Sequence, residues 1–110
     1  MPYKPSCHVE AALSVIGGKW KLPILWHLRQ GAMRFSELEK RIPGVTQKML
    51  SQQLKELVNE KLITRTVFPV IPPKVEYEVT EHGKSLDTVL KTLSVWGEKH
   101  MSLKRTSDYR

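Results

Sequence analysis

Thr46-Gln47-Lys48-Met49-Leu50-Ser51-Gln52-Gln53-Leu54-Lys55-Glu56-Leu57-Val58-Asn59 encodes a helix with two unlike faces. Leu50, Leu54, Leu57 and Val58 recur at i, i+4, i+7 and i+8, the spacing that lines one side of an α-helix with apolar groups. Thr46 precedes them as a good N-cap, because its hydroxyl can accept a free amide of the first turn. The opposite side holds Gln47, Lys48, Ser51, Gln52 and Lys55. Glu56 and Glu60 fall near the far end, which leaves the first turns to meet any anionic partner.

The flanks of this helix show what it packs into. Upstream, Pro43-Gly44 ends a short helix that runs to about Ile42 and opens with a Ser36-x-x-Glu39 capping box, after a possible strand at Met33–Phe35. Lys21–Leu28 forms another helix, with Pro23 tolerated in its first turn and Trp20, Ile24, Leu25 and Leu28 as its buried stripe. Val9, Ala12, Leu13 and Ile16 make the first helix, ended by Gly17-Gly18. Downstream, Ile63–Phe68 is rich in β-branched residues, and Val75, Tyr77 and Val79 alternate with Glu76 and Glu78, so the two segments pair as a hairpin. Its connection, Pro69 to Lys74, contains three prolines and is expected to protrude as a stiff loop. Thr80 caps a last helix whose apolar stripe is Leu86, Val89, Leu90, Leu93, Trp96 and Met101, and Ser102–Arg110 reads as a polar tail.

Helix, helix, short strand, helix, turn, helix and hairpin is the order of a winged helix-turn-helix, mainly α with a small β-hairpin (α+β). At 110 residues the chain is expected to form a single domain over 1–110, with a groove helix at 46–59, a wing at 63–79 and a terminal helix at 80–101. An α-helix fits the major groove, where Gln can pair with adenine, Lys can reach guanine or phosphate, and Ser can serve either. Arg65 on the strand and Lys74 at the loop sit where a wing would touch the backbone, with Arg34 and Ser36 beside the groove helix. Each of these residues also has a plain structural reading, as a solvated face, a snorkelling side chain or a cap.

Charge points the same way. Lys and Arg number 18 against 11 Asp and Glu, a formal net charge of +7, which favours a polyanion such as double-stranded operator DNA. No apolar run approaches the length of about 18 residues needed to cross a bilayer, and Met1–Cys7 lacks the apolar stretch of a secretory signal, so a cytoplasmic protein without a membrane partner is expected. Four histidines show no triad or metal-ligand spacing and no glycine-rich phosphate loop is present, so neither catalysis nor a cofactor is expected. The rival to DNA binding is a winged helix that binds protein or RNA, against which stand the polar groove face and the lack of an exposed aromatic platform.

Several segments in order resemble the HxlR-type winged-helix transcriptional regulators, a MarR-like family. They are Cys7-His8-Val9-Glu10, where the family usually has Cys-Pro-Val-Glu, then Ile16-Gly17-Gly18-Lys19-Trp20, Arg34-Phe35-Ser36-Glu37-Leu38, Lys48-Met49-Leu50-Ser51-Gln52-Gln53-Leu54 and Pro72-Pro73-Lys74-Val75-Glu76-Tyr77. The resemblance implies a homodimer joined by its first and last helices, with one groove helix per half-site, and a repressor or activator of a neighbouring operon. The interface would use Val9, Leu13, Leu86, Val89, Leu90, Leu93 and Trp96. Three tryptophans and a full stripe on the last helix independently offer more apolar surface than a small winged core would cover.

Cys7 is the only cysteine and is expected just before the first helix, where the helix dipole favours a thiolate. In some members of the family that Cys7 resembles, the matching cysteine senses oxidants or electrophiles. Without a second cysteine the routes left are alkylation, a mixed disulfide with a small thiol, or a Cys7–Cys7 bridge across the two-fold. The plain alternative is a small buried hydrophobe.

Overall fold

The structure, a computed structural model, describes residues 5–108, with side chains described from Ser6 to Lys104. Residues 1–4 of the Met1–Cys7 stretch, and the last two residues of the expected polar tail, lie outside the described residues. The elements in order are α1 (Pro5–Ile16), α2 (Lys21–Leu28), α3 (Phe35–Arg41), α4 (Gln47–Asn59), β1 (Ile63–Phe68), β2 (Lys74–Val79), α5 (Glu81–Lys84) and α6 (Asp87–Asp108).

The core forms where the predicted stripes meet. Ile24, Leu25 and Leu28 of α2, Leu38 of α3, Leu50, Leu54 and Leu57 of α4 and Ile63 of β1 are all essentially inaccessible to water. Each fully buried Leu or Ile contributes about 1.5–3 kcal/mol. Leu54→Ala would therefore remove transfer energy and also leave a cavity, at about 2–5 kcal/mol. Trp20 closes the core near the α3–α4 connection, where Gly44 takes φ +86°, a left-handed conformation that favours glycine.

Local signals explain most boundaries. The Thr46 hydroxyl accepts the Met49 N–H at 3.1 Å and starts α4 as expected. At the other end, Lys61 adopts φ +61°, Leu62 N–H bonds to Leu57 O at 3.0 Å, and Lys61 N–H to Val58 O at 2.9 Å. This is a Schellman stop without its usual glycine. It turns the chain directly into β1, which pairs antiparallel with β2 in the register Ile63↔Val79 to Phe68↔Lys74.

Four expectations are corrected. Ser36 is not the N-cap of α3: the helix begins two residues earlier, after Arg34, and the Glu37 carboxylate, not that of Glu39, accepts the Arg34 backbone N–H at 3.0 Å. The strand at Met33–Phe35 shrinks to one bridge, Met33 with Tyr77, because Phe35 is already helical. Thr80 caps only the single turn α5, and the terminal helix restarts at Asp87. The turn α5 holds Gly83 against the hairpin, where a Cβ would collide with Leu62 O and Val79 Cγ1. Finally, α6 continues through Asp108, so most of the expected tail is helical.

Candidate nucleic-acid interface

The polar face of α4 stands clear of the protein. Gln47, Lys48, Ser51, Gln52 and Lys55 are exposed while Leu50, Leu54 and Leu57 on the other side are buried, so the period in the sequence has become a rigid presenting surface. Between α4 and the hairpin lies an open cleft of about 250 Å³, lined by Ser51, Lys55, Val58, Asn59, Arg65 and Tyr77. Three predicted contacts, Ser51, Lys55 and Arg65, are thereby brought to one place although Arg65 is on a different element. The two cations that line this cleft are suited to phosphate oxygens, and the adjoining Gln and Ser side chains to base edges. Arg34 and Ser36 are exposed at the start of α3. A larger depression, about 640 Å³, lies instead between the end of α2 and α5–α6 and holds none of the predicted DNA contacts.

Lys74 differs from its expected setting. It is the first residue of β2 rather than part of the loop, its Nζ lies 3.2 Å from a Glu76 carboxylate oxygen, and it sits over the Phe68 ring at 5.0 Å. Its charge is already partnered. The loop beyond it is apolar, with Val70 half-exposed and Ile71 fully exposed.

Glu56 was expected to lie apart from the groove face, and the structure corrects this. Lys21 Nζ donates to Glu56 Oε1 at 2.7 Å, and Gln52 Nε2 donates to Glu56 Oε2 at 2.8 Å. Hydrogen bonds from Lys21 and then Gln52 hold the Glu56 carboxyl below the usual carboxylate range. Lys21 is the only buried charged or polar residue among the described residues. Burying an ammonium without a counter-charge is costly, so Lys21 fixes Glu56 as firmly as Glu56 fixes Lys21. The i, i+4 spacing of Gln52 and Glu56 was a readable signal; the buried lysine, 35 positions away, was not.

A second brace joins the core to α6. Arg29 Nε donates to Asp87 Oδ1 at 2.6 Å and its guanidinium lies 4.4 Å over Trp26, while Lys91 Nζ is 3.0 Å from Asp87 Oδ2. Beyond that brace α6 leaves the core. Leu90 is buried in the chain's own core and Leu86 packs against it, so these two anchor the helix rather than face outward. Val89, Leu93 and Trp96 remain 41%, 46% and 62% exposed, as do Val9 and Leu13 on α1 at 59% each. Cys7 lies inside the first turn of α1, not before it, and is half-buried.

A buried tri-helical core, a capped helix presenting a polar face, and a hairpin beside it define a winged helix-turn-helix, a fold of transcriptional regulators. The chain belongs to the HxlR-like helix-turn-helix family, whose pattern matches residues 15–105. It is 52% identical to the HTH-type transcriptional regulator YtcD of Bacillus subtilis (strain 168) over 99 residues, covering 90% of this chain and 79% of that one. The crystal structure of ytcD superposes with a TM-score of 0.82 at 53% identity, over 86% of this chain and 96% of that one. The redox regulator HypR in its reduced form is 39% identical with a TM-score of 0.85, over 90% and 98% of the two chains. A MarR-family transcriptional regulator from Enterococcus faecalis V583 is 37% identical with a TM-score of 0.81, over 96% of each. No helix among the described residues is long and apolar enough to cross a membrane.

Proposed function

We propose that the protein is a cytoplasmic, homodimeric repressor that binds operator DNA sequence-specifically, over a single domain spanning 1–110. The observation that carries this reading is the exposed face of α4, which shares one cleft with Arg65 of the hairpin. Gln47, Lys48, Ser51 and Gln52 enter the major groove, Lys55 and Arg65 hold phosphates, and Arg34 and Ser36 approach the backbone from the start of α3. Lys74 is a weaker backbone contact because Glu76 shares its charge. The dimer forms through Val9, Leu13, Val89, Leu93 and Trp96, whose exposure in one chain supports a partner covering them. Two copies then present two groove helices to a two-fold operator.

Cys7 makes DNA binding responsive to oxidants or electrophiles. Its place in the first turn of α1, half-buried on a proposed dimer helix, supports this, as does the likeness to HypR, itself described as a redox regulator. A test combines both levels: binding to duplexes from upstream of the protein's own gene against random duplex, with and without diamide. Specific binding that diamide weakens in the wild type but not in Cys7→Ala is the expected result. Equal affinity for both duplexes would overturn sequence-specific regulation, and an unchanged diamide response in Cys7→Ala would overturn the sensor role alone.

A further inference from the structure

Gln52 is the one groove-face side chain whose conformation is already fixed from behind. A carboxylate only accepts hydrogen bonds, so the atom Gln52 turns toward Glu56 must be its amide nitrogen, as the 2.8 Å contact has it. The Gln52 carbonyl oxygen and the second hydrogen on Nε2 are then left for a ligand. Glu56 is in turn held at 2.7 Å by Lys21, whose side chain is only 11% exposed and is anchored on α2 in the core. The chain of contacts runs from a buried cation, through a carboxylate, to an exposed amide.

We propose that Glu56 is a positioning residue for base recognition: braced by Lys21, it turns the Gln52 amide so that Gln52 reads one A·T pair in the major groove. Adenine offers N6–H as donor beside N7 as acceptor, which matches a Gln carbonyl oxygen beside an N–H. The inference rests on α4 being the groove helix. Preordering one long polar side chain spares the ordering cost that binding otherwise carries, worth about three- to tenfold in affinity for the correct base. Nothing comparable braces Gln47, Lys48 or Ser51 among the described hydrogen bonds, so Gln52 should be the most discriminating reader on the face.

The experiment starts from duplexes enriched by the wild-type full-length chain from a random-sequence pool, with every base pair of the enriched site then varied singly. Wild type should lose about tenfold or more at one A·T pair per half-site when that pair is replaced. Glu56→Ala should cut discrimination at that pair about three- to tenfold, leave the other positions and the salt dependence unchanged, and have no further effect in a Gln52→Ala background. Because Glu56→Ala leaves the buried Lys21 with neither acceptor nor counter-charge, Glu56→Gln, which keeps the acceptor and the side-chain shape, is the milder control, and the thermal midpoint of both variants is measured alongside. In Glu56→Gln the single carbonyl oxygen is claimed by Lys21, the amide N–H then faces Gln52, and the adenine preference should fall although the packing is kept. A uniform loss at all positions, full discrimination in Glu56→Gln, or a Glu56→Ala effect that persists without Gln52 overturns the proposal. A pool that yields no enriched duplex overturns the DNA-binding reading itself.

Discussion

Neutralising Arg65 should change how binding responds to salt, and neutralising the Lys74–Glu76 pair should not. Arg65 lines the cleft beside Lys55, and no described acidic side chain pairs with it, whereas Lys74 is 3.2 Å from Glu76. Each phosphate contact made by a cation releases about 0.9 counterion from duplex DNA, so two copies in a dimer remove about 1.8 from the slope of log affinity against log salt in Arg65→Ala. Between about 50 and 200 mM salt, roughly 0.6 decades, the penalty of the variant should shrink by about tenfold. Lys74→Met with Glu76→Gln removes the pair together, leaves local charge unchanged, and should leave the slope within about 0.3 of wild type. Fluorescence anisotropy on one operator duplex across that salt range measures all three proteins. An unchanged slope in Arg65→Ala, or an equal fall in the paired variant, would refute the assignment of the phosphate contact to Arg65 rather than Lys74.

Gly83→Ala should destabilise by about 2 kcal/mol, the strain of a Cβ meeting the Leu62 backbone oxygen less the better helix propensity of alanine, and lower the thermal midpoint by roughly 10 °C. Lys61→Gly should act oppositely, stabilising by about 0.5–1 kcal/mol in urea titration because the left-handed turn at Lys61 no longer crowds a Cβ. The folded-state carboxyl pKa values of Glu56 and Asp87 are both lowered, Glu56 chiefly by Lys21 and Asp87 chiefly by Arg29. The stability they contribute is therefore present above the unfolded range near pH 4 and is lost as pH falls through their lowered values. Glu56→Gln with Asp87→Asn should flatten the drop in urea midpoint between pH 6 and pH 3, which an identical drop would contradict. Leu93→Asp, at a side chain 46% exposed, should leave the fold intact but convert a sedimenting dimer to monomer and abolish binding to the full two-fold site.

The elements that periodicity alone determines were legible in the sequence. α2 and α4 begin and end where their stripes and caps place them, and β1 spans Ile63–Phe68 as its β-branched run implies. The misplaced start of α3 depends on a choice between two local signals. Ser36-x-x-Glu39 and the Glu37 back-bond compete for the same helix start, and the second wins because Met33, held by hydrogen bonds to Tyr77, ends extended and lets the helix begin at once. The packing of α5 depends on Gly83 lying close to the Leu62 carbonyl, an approach between residues 21 apart that no short window of sequence contains.

The candidate site divides along the same line. Which side of α4 is polar follows from a 3.6-residue period, so the five exposed residues were all legible. Which of them is already engaged does not, because engagement depends on what the buried side of a neighbouring helix offers. Lys21 looks in sequence like one more surface cation at a helix start, yet the stripe that buries Ile24, Leu25 and Leu28 turns Lys21 inward beside α4. An inward lysine needs an anion, and Glu56 is the carboxylate within reach. The requirement to neutralise a core charge thus reaches the surface through Glu56 and settles the direction of the Gln52 amide, so packing beneath the helix sets the hydrogen-bond pattern displayed above it.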